Sequence, residues 1–297
     1  MDLNNCMLCP RKCGVNRNKG ELGFCKATNK IKIARYSLHM WEEPCISGTQ
    51  GSGTIFFSCC NLKCIFCQNY DISTNNIGKE ISIERFKDIC LELQEKGALN
   101  INLVTPTMYI PLIKEGLILA KKEGLKIPIV YNSSGWENVE TLKELDGLID
   151  IYLPDFKYYD DNLAKNFSNI FNYFEITKKA LEEMYRQVGK NEFKNDIMTK
   201  GVIVRHLLLP KHIDDSKKIL EYLYNTYEDN IYISIMNQYT PLRNIKEYSE
   251  LNETVSDNEY DDLINYACDL GIVNAFIQEG ETCKESFIPD FTKFDEI

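Results

Sequence analysis

The stretch GTIFFSCCNLKCIFCQ, residues 53–68, decides the fold prediction because an apolar strand runs directly into a cysteine-rich loop. The run TIFFS, residues 54–58, is short and continuous, as expected of a strand that is buried on both faces of a sheet. Cys60, Cys64 and Cys67 follow it within one short polar turn. This spacing offers three thiolates to a single bound object.

Beyond this loop, short apolar runs alternate with longer stretches of helical periodicity, a pattern typical of βαβ units and a parallel sheet. The further apolar runs are residues 101–105, 127–132, 148–155, 202–210, 231–239 and, more weakly, 274–278. The helical stretches are residues 81–97, 111–124, 138–145, 172–189, 215–227 and 256–271. The pattern predicts an α/β fold, a partial or complete parallel (β/α) barrel, with a doubly wound open sheet as the alternative.

Polar side chains fall within or near the carboxyl ends of the predicted strands, where a barrel carries its chemistry. They are Thr105, Thr107, Asn132, Ser133, Asp155, Lys157, Arg205 and Gln238. Asp155 and Lys157 are two residues apart on one strand, so their side chains point to the same side. We expect these residues and the cysteine loop to form one common site.

Composition narrows the class of protein. The chain has 297 residues, 44% hydrophobic and 26% charged, which fits a folded enzyme-sized protein with a sizeable core. Its net charge of -10 argues against general nucleic-acid binding, which uses a basic face. No window approaches the roughly 20 apolar residues of a membrane span, and the first residues lack the layout of a secretory signal. We therefore expect a cytoplasmic protein that does not contact a membrane.

Three regions are predicted along the chain. Residues 1–50 form a cysteine-rich metal-binding segment, residues 51–280 the barrel, and residues 281–297 a polar, acidic C-terminal tail. The first region carries Cys6, Cys9, Cys13 and Cys25, the four thiolates that close either a tetrahedral zinc site or a cubane cluster. The spacing leaves zinc and an auxiliary iron-sulfur cluster both open. Thiolate binding energy should in either case fold the segment.

The loop after the first strand has the ligands of an iron-sulfur cluster with one free iron. Twelve cysteines in a chain without an export signal favour metal use over disulfides. A cubane normally takes four thiolates, so three leave one iron open to a small molecule. Cys60-Asn-Leu-Lys-Cys64-Ile-Phe-Cys67 resembles the CxxxCxxC loop of the radical S-adenosylmethionine (SAM) superfamily. The alternative is a zinc knuckle completed by Cys59 or a distant cysteine, although zinc favours paired CxxC hooks.

The resemblance extends over nearly the whole chain. The segments WEEPCISG, VYNSSGW, DIYLPDFKY, VIVRHLLLP and MNQYTP are similar to a subgroup named for pyruvate formate-lyase activating enzymes. It implies a radical SAM barrel with a [4Fe–4S] cluster and S-adenosyl-L-methionine as cofactors. It also implies an oxidoreductase in which a reduced cluster cleaves SAM to a 5′-deoxyadenosyl radical that abstracts a hydrogen atom from the substrate.

The same resemblance implies roles for individual residues. Phe66 matches a position near the adenine, and Asn132, Ser133 and Ser134 match a segment that contacts the nucleoside or the carboxylate. Asp155 and Lys157 are expected at the ribose hydroxyls or the methionine carboxylate, with Arg205 near the cofactor. These residues, with Thr105, Thr107 and Gln238, are the predicted cofactor-binding set; no catalytic residue is predicted.

Three positions depart from the related sequences. Val104-Thr105-Pro106-Thr107 stands where many superfamily members have a glycine-glycine-glutamate run that binds the methionine amine. Met108 replaces a histidine that is frequent in the subgroup, and Cys59 stands where glycine is usual. We expect Cys59 to be a small buried residue and not a ligand.

The leading functional hypothesis is activation of a glycyl-radical protein, with a small flavin or ferredoxin protein as the expected electron donor. The alternatives are radical SAM modification of a peptide, a small metabolite or, least favoured by the acidic charge, RNA. A non-catalytic metal-binding scaffold is a further alternative from a different class. The sequence leaves the substrate and the oligomeric state open.

Overall fold

The structure, a computed structural model, describes residues 2–278 and Phe291. The strands of this part of the chain are β1 (Ile31–His39), β2 (Ser52–Phe57), β3 (Lys79–Ile81), β4 (Ile101–Val104), β5 (Ile129–Ser133), β6 (Ile151–Pro154), β7 (Glu192–Lys194), β8 (Ile197–Leu207), β9 (Tyr232–Met236) and β10 (Ala275–Ile277). Its α-helices are α1 (Pro44–Ser47), α2 (Tyr70–Ser73), α3 (Ile83–Glu95), α4 (Ile110–Lys122), α5 (Val139–Lys143), α6 (Asp161–Ser168), α7 (Tyr173–Val188), α8 (Ile213–Tyr227) and α9 (Asp257–Leu270).

The strands form one sheet in the order β10-β9-β8-β6-β5-β4-β2-β1-β3, with β7 paired to β8. All neighbours from β2 to β10 along this path are parallel, whereas β1 pairs antiparallel with both β2 and β3. The parallel strands follow one another in chain order, without the reversal of order that marks a doubly wound sheet. The predicted α/β fold is confirmed, and its form is that of a partial (β/α) barrel.

Two apolar layers hold the sheet. The larger one lies between the strands and the helices and includes Ile55, Leu103, Phe86 and Leu117. A smaller cluster on the opposite face joins Val130, Leu153 and Ile203 of the strands to residues of the short helix α1. Helix α1 therefore packs its Cys45 and Ile46 against the inward-facing side chains of the sheet.

The helices begin where the sequence offers capping residues. The Ser82 side chain accepts a hydrogen bond from the backbone N–H of Arg85 at the start of α3. Ser256 and Glu259 form a reciprocal capping box at the start of α9, and Gly271 ends that helix in a left-handed conformation. The six helical stretches predicted from the sequence are all present.

Strand β1 was assigned to the N-terminal cysteine-rich segment by the sequence, and the structure places it in the sheet. Its apolar residues Ile31, Ile33 and Ala34 are fully buried, and its register with β2 runs from Ile33↔Phe57 to His39↔Ser52. The chain therefore joins the sheet at residue 31, well before the predicted boundary at residue 50. The predicted tail, residues 281–297, lies outside the described residues except for Phe291.

Candidate functional site

A cavity opens at the carboxyl ends of the parallel strands and has a volume of about 260 Å³. It is lined by the three cysteines of the loop after β2, together with residues from the ends of six parallel strands and His39 at the end of β1. The predicted site residues that line it are Cys60, Cys64, Cys67, Phe66, Thr105, Asn132, Ser133, Ser134, Asp155, Lys157, Arg205 and Gln238. The structure therefore brings together almost all of the predicted cofactor-binding set.

The cysteine loop is held by hydrogen bonds to its sulfur atoms and backbone. The backbone N–H of Leu62 donates to Cys60 Sγ at 3.4 Å, and the Ser168 hydroxyl donates to Cys64 Sγ at 2.9 Å. The Cys67 Sγ atom lies 3.3 Å from the Ser73 hydroxyl. Burial raises the pKa of the Cys64 thiol to about 11 and also raises that of Cys60. Such thiols need a cation to become thiolates.

Another part of the cavity wall is an ionic network around Asp155. Lys157 Nζ donates to Asp155 Oδ2 at 2.6 Å, and Arg205 Nε donates to Asp155 Oδ1 at 3.0 Å. A second guanidinium nitrogen of Arg205 donates to Asn132 Oδ1 at 2.6 Å. Burial alone would raise the pKa of Asp155, but Lys157 and Arg205 hold it below its usual value. Asp155 is therefore a carboxylate between two cations at neutral pH.

Two backbone features shape this wall. Gly135 has φ +74, and a Cβ atom there would lie 2.2 Å from the carbonyl oxygen of Asp155, so only glycine lets the loop after β5 approach β6. Thr105 adopts φ +60, which is rare for a β-branched residue, and its N–H donates to the carbonyl oxygen of Asn132 at 2.8 Å. Strained backbone of this kind concentrates at functional sites.

Thr107 is the one predicted cofactor-binding residue that does not line the cavity. It is buried, and its hydroxyl donates to Glu137 Oε1 at 2.6 Å on the side of the sheet that faces the helices.

Phe66 lines the cavity and packs edge-on against Tyr239, with ring centroids 5.9 Å apart. Gln238 also lines the cavity, and its backbone carbonyl accepts a hydrogen bond from Gln68 Nε2.

The sequence did not single out Glu42 and Trp41 as site residues, yet both line the cavity. They belong to the WEEP segment between β1 and α1. Glu42 Oε1 accepts a hydrogen bond from Asn102 Nδ2 at 2.9 Å, and Glu42 Oε2 accepts one from Arg205 Nη1 at 3.4 Å. The resemblance of WEEPCISG to the subgroup was the available signal, but the segment lies far from the strand ends in the chain and was given no role at the site.

Comparison with known proteins assigns the family. The family model described as the radical SAM superfamily matches residues 54–223, more than half of the chain. The chain belongs to the radical SAM superfamily. An uncharacterized protein of Methanocaldococcus jannaschii is 33% identical over 277 residues, which are 89% of this chain and 74% of that protein. The superfamily implies a [4Fe–4S] cluster and SAM.

Solved radical SAM structures share the fold. The Streptococcus suis protein SuiB, bound to precursor peptide SuiA, matches with a TM-score of 0.52 at 14% identity, over 75% of this chain and 47% of that chain. A radical SAM methyltransferase from Sphaerobacter thermophilus matches with a TM-score of 0.52 at 15% identity, over 77% of this chain and 67% of that one. The present chain thus spans about half the length of SuiB.

The residues of the cavity fit the cofactors of a radical SAM protein. Among the described residues, no group of three or more His, Cys, Asp or Glu side chains converges tightly enough for one metal ion. Cluster ligands differ from the ligands of one ion because each binds a different iron, which spaces them farther apart. The Ser134 hydroxyl is buried on the cavity wall and has no hydrogen-bond partner in the described part of the chain, as expected of a ligand-facing group.

The N-terminal cysteines form a second group next to the radical SAM loop. Cys6, Cys9, Cys13 and Cys25 line one small cavity of about 10 Å³. Burial raises the pKa of Cys9 to about 12 and that of Cys25 to about 11. The four cysteines therefore lie around one small cavity, with Cys13 exposed, although they do not form a preassembled single-ion site among the described residues.

None of the helices in residues 2–278 combines the length and the apolar character that crossing a bilayer requires.

Proposed function

We propose that Cys60, Cys64 and Cys67 hold a [4Fe–4S] cluster and that the cavity binds SAM against it. The observation that carries this proposal is the shared cavity, in which three thiols face the Asp155 network. A cubane with three protein ligands leaves one iron for the amine and carboxylate of the cofactor. The part of the cavity wall that the Asp155 network forms then receives the nucleoside.

The cofactors supply one-electron cleavage of a carbon–sulfur bond and a 5′-deoxyadenosyl radical, and the chain positions and encloses them. The carboxylate of Asp155 is a suitable acceptor for ribose hydroxyls, and Lys157 is a suitable donor to a carboxylate. Phe66 and Tyr239 offer an aromatic wall for the adenine. The apolar residues Leu62 and Ile72, which also line the cavity, help to exclude water from it.

We further propose that the substrate is a peptide or a segment of a protein. The resemblance in fold to SuiB, which has been crystallised with its precursor peptide, supports this class of substrate. Activation of a glycyl-radical protein is the narrower form of the proposal, and the resemblance of the chain segments to pyruvate formate-lyase activating enzymes supports it. A small flavin or ferredoxin protein would deliver the electron. We place this protein in the cytoplasm.

The N-terminal cysteines would hold a second metal, either zinc or an auxiliary iron-sulfur cluster. Their shared cavity supports the site, and the contact of this segment with the cysteine loop through Arg11 supports an auxiliary role near the first cluster. Metal analysis of a protein from which the radical SAM cysteines have been removed distinguishes zinc from iron.

Anaerobic reconstitution tests the cluster assignment. The reconstituted wild-type protein should bind four irons at the loop and, when reduced with dithionite, convert SAM to 5′-deoxyadenosine. Replacing Cys60, Cys64 and Cys67 by alanine should abolish this conversion and leave the N-terminal metal bound. The matched control is Cys90→Ala, since Cys90 is buried in helix α3 away from the cavity. Conversion that survives the triple substitution would show that the ligands are assigned wrongly.

Isotope transfer tests the substrate class. A deuterated peptide or glycyl-radical protein that is the substrate should pass deuterium into 5′-deoxyadenosine. Label transfer from a deuterated small metabolite, with none from any peptide or protein candidate, would contradict the proposed class.

A further inference from the structure

A side groove leads from the surface to the cofactor cavity. It has a volume of about 340 Å³ and is lined by Met40, Trp41, Glu42, Gln238 and Gln278, with residues of helix α1 at its base. Trp41, Glu42 and Gln238 line both the groove and the cofactor cavity. The groove and the cavity therefore meet at these three side chains.

Acidic groups are in excess at this junction. Arg205 already contacts Asp155 at 3.0 Å and Asn132 at 2.6 Å, and Glu42 is its most distant acceptor at 3.4 Å. Glu43 adds another carboxylate close to Arg205. With Lys157 included, three carboxylates face two cations. Burial raises the pKa of both Glu42 and Glu43, so a proton offsets this excess of negative charge when no cation is bound, and a cation that binds there replaces the proton.

Two buried oxygen atoms near Glu42 also lack a hydrogen-bond donor within the described residues. Glu43 is only 7% exposed, and its Oε2 atom has no hydrogen-bond partner in the described residues. Asn102 is fully buried; its amide nitrogen donates to Glu42, and its Oδ1 atom lacks a partner in the same part of the chain. These two residues line neither the groove nor the cofactor cavity, so their unpaired acceptors describe the buried polar surroundings of Glu42 and not a second contact for a bound group.

The residues that line the groove suit an aliphatic side chain that ends in a cation. Trp41 is 64% exposed and Met40 is 43% exposed, so both present apolar surface to the groove. An indole ring attracts ammonium and guanidinium groups as well as methylene chains. The Gln278 side chain donates to Gln238 Oε1 at 3.0 Å, and its Oε1 atom accepts from the backbone N–H groups of Asn237 and Gln238, so the two amides form a fixed polar wall of the groove.

We propose that this groove is the substrate subsite and that it takes an amine-bearing side chain, of the lysine type, from a peptide. The ammonium group reaches the carboxylate of Glu42, the methylene chain lies along Trp41 and Met40, and the peptide backbone remains near Gln238 and Gln278. This inference rests on the proposed function, because it places the amine-bearing arm beside the cofactor cavity. It assigns Glu42 to substrate recognition rather than to SAM binding.

The test measures binding of two related probes by calorimetry, with reconstituted, SAM-loaded protein. The probes are Nα-acetyl-lysine amide and Nα-acetyl-norleucine amide, which share the aliphatic arm and differ in the terminal charge. Wild-type protein should bind the lysine probe at least tenfold more tightly. Glu42→Gln should remove most of this preference, because charge-assisted hydrogen bonds carry about tenfold or more in affinity. The control is Glu140→Gln, since Glu140 is largely exposed on helix α5.

A second variant guards against loss of folding in Glu42→Gln. Trp41→Leu should weaken binding of the lysine probe several-fold, and the melting temperature of each variant is recorded beside its affinity. Equal binding of both probes to the wild-type protein, or a lysine affinity unchanged in folded Glu42→Gln, would overturn the proposal.

SAM affinity and SAM cleavage are measured on the same samples. These measurements distinguish failure of the substrate subsite from failure of the proposed radical SAM function. Met40→Ala, at a residue that lines the groove but not the cofactor cavity, should weaken binding of the lysine probe and leave SAM affinity within about twofold of wild type. In Glu42→Gln, a large loss of SAM affinity with the lysine preference intact would overturn the subsite and assign Glu42 to the cofactor. Wild-type protein that prefers the lysine probe but never cleaves SAM would contradict the proposed function and leave the groove as a cation-binding site.

Discussion

Arg11 Nε donates a 3.0 Å hydrogen bond to the backbone carbonyl oxygen of Asn61, and this contact joins the two cysteine groups of the chain. Arg11 lies between Cys9 and Cys13, whereas Asn61 follows Cys60 directly. The same guanidinium donates to the carbonyl oxygen of Asn169 at 2.7 Å and lies over the ring of Phe24. The N-terminal segment is therefore held against the loop that carries the proposed cluster.

Replacing Arg11 by alanine should release the N-terminal segment from that loop. The change removes two charge-assisted hydrogen bonds and a cation–π contact, so we expect a loss of about 2 kcal/mol in docking free energy. Hydrogen exchange of residues 2–30 should speed up. Arg11→Lys should recover little, because an ammonium cannot reproduce the planar fork. Lys122→Ala, at the end of helix α4, is the control. Equal exchange in wild type, Arg11→Ala and Lys122→Ala would contradict the role of Arg11.

Cys59 should not be a cluster ligand. Its side chain is buried, its sulfur accepts a hydrogen bond from the Tyr109 hydroxyl at 3.4 Å, and its backbone has φ +74. Cys59→Ala should keep the full iron content after reconstitution and lose about 1 kcal/mol of stability from the vacated volume. Iron content that fell to the level of Cys60→Ala would reverse the assignment.

Asp155→Asn should destabilise the protein strongly at neutral pH. The substitution leaves Lys157 without its carboxylate partner and removes the nearest carboxylate partner of Arg205. Removing one partner of a buried ion pair typically costs about 3 kcal/mol or more in stability. The pKa of Asp155 is lowered in the folded state, so its contribution is present above an unfolded pKa of about 3.9 and is lost as the pH falls through the folded value.

Urea titrations at several pH values measure this difference. The gap in unfolding free energy between wild type and Asp155→Asn should be largest near pH 7 and should shrink below about pH 4. Asp88→Asn, on the exposed side of helix α3, should change stability by less than about 0.5 kcal/mol. A constant gap across the pH range would contradict the ionic role of Asp155.

Glu137→Gln should stabilise the protein at alkaline pH. Burial raises the pKa of Glu137 to about 7, and its Oε2 atom has no hydrogen-bond partner among the described residues. Between an unfolded pKa of about 4.3 and this value, the folded state keeps a proton that the unfolded state has lost, so wild-type stability declines as the pH rises. The glutamine variant lacks this decline. Its unfolding free energy relative to that of the wild type should therefore increase by about 3 kcal/mol between pH 5 and pH 8.

Denaturant melts at pH 5 and pH 8 provide the comparison for Glu137. The exposed Glu140→Gln should follow the wild-type pH dependence at both values. Parallel stability curves for wild type and Glu137→Gln would mean that the carboxyl group ionises freely in the folded protein.

The parallel strands were predictable because each reads as a continuous apolar run, buried on both faces. The strand β1 was missed because its apolar residues are interrupted by Lys32 and Arg35 and follow a polar, cysteine-rich segment. Helix α6 was missed because it has only eight residues and buries few apolar side chains. Short elements of this kind depend on tertiary contacts, which a local pattern does not contain.

The site was largely predictable because strand ends in a parallel barrel converge on one region. That rule brought Asp155, Asn132 and Arg205 together correctly. It could not predict Glu42, which enters the cavity from a connection between β1 and α1 and finds its partners on β4 and β8. It also placed Thr107 at the site, although the turn after Thr105 directs that hydroxyl to Glu137.

The sheet ends at β3 on one side and β10 on the other, and no hydrogen-bonded ladder links these two edges within the described residues. Within the part of the chain that the structure describes, the sheet is therefore open between these edges. A peptide substrate of the proposed kind would enter from that flank without being threaded from a free end.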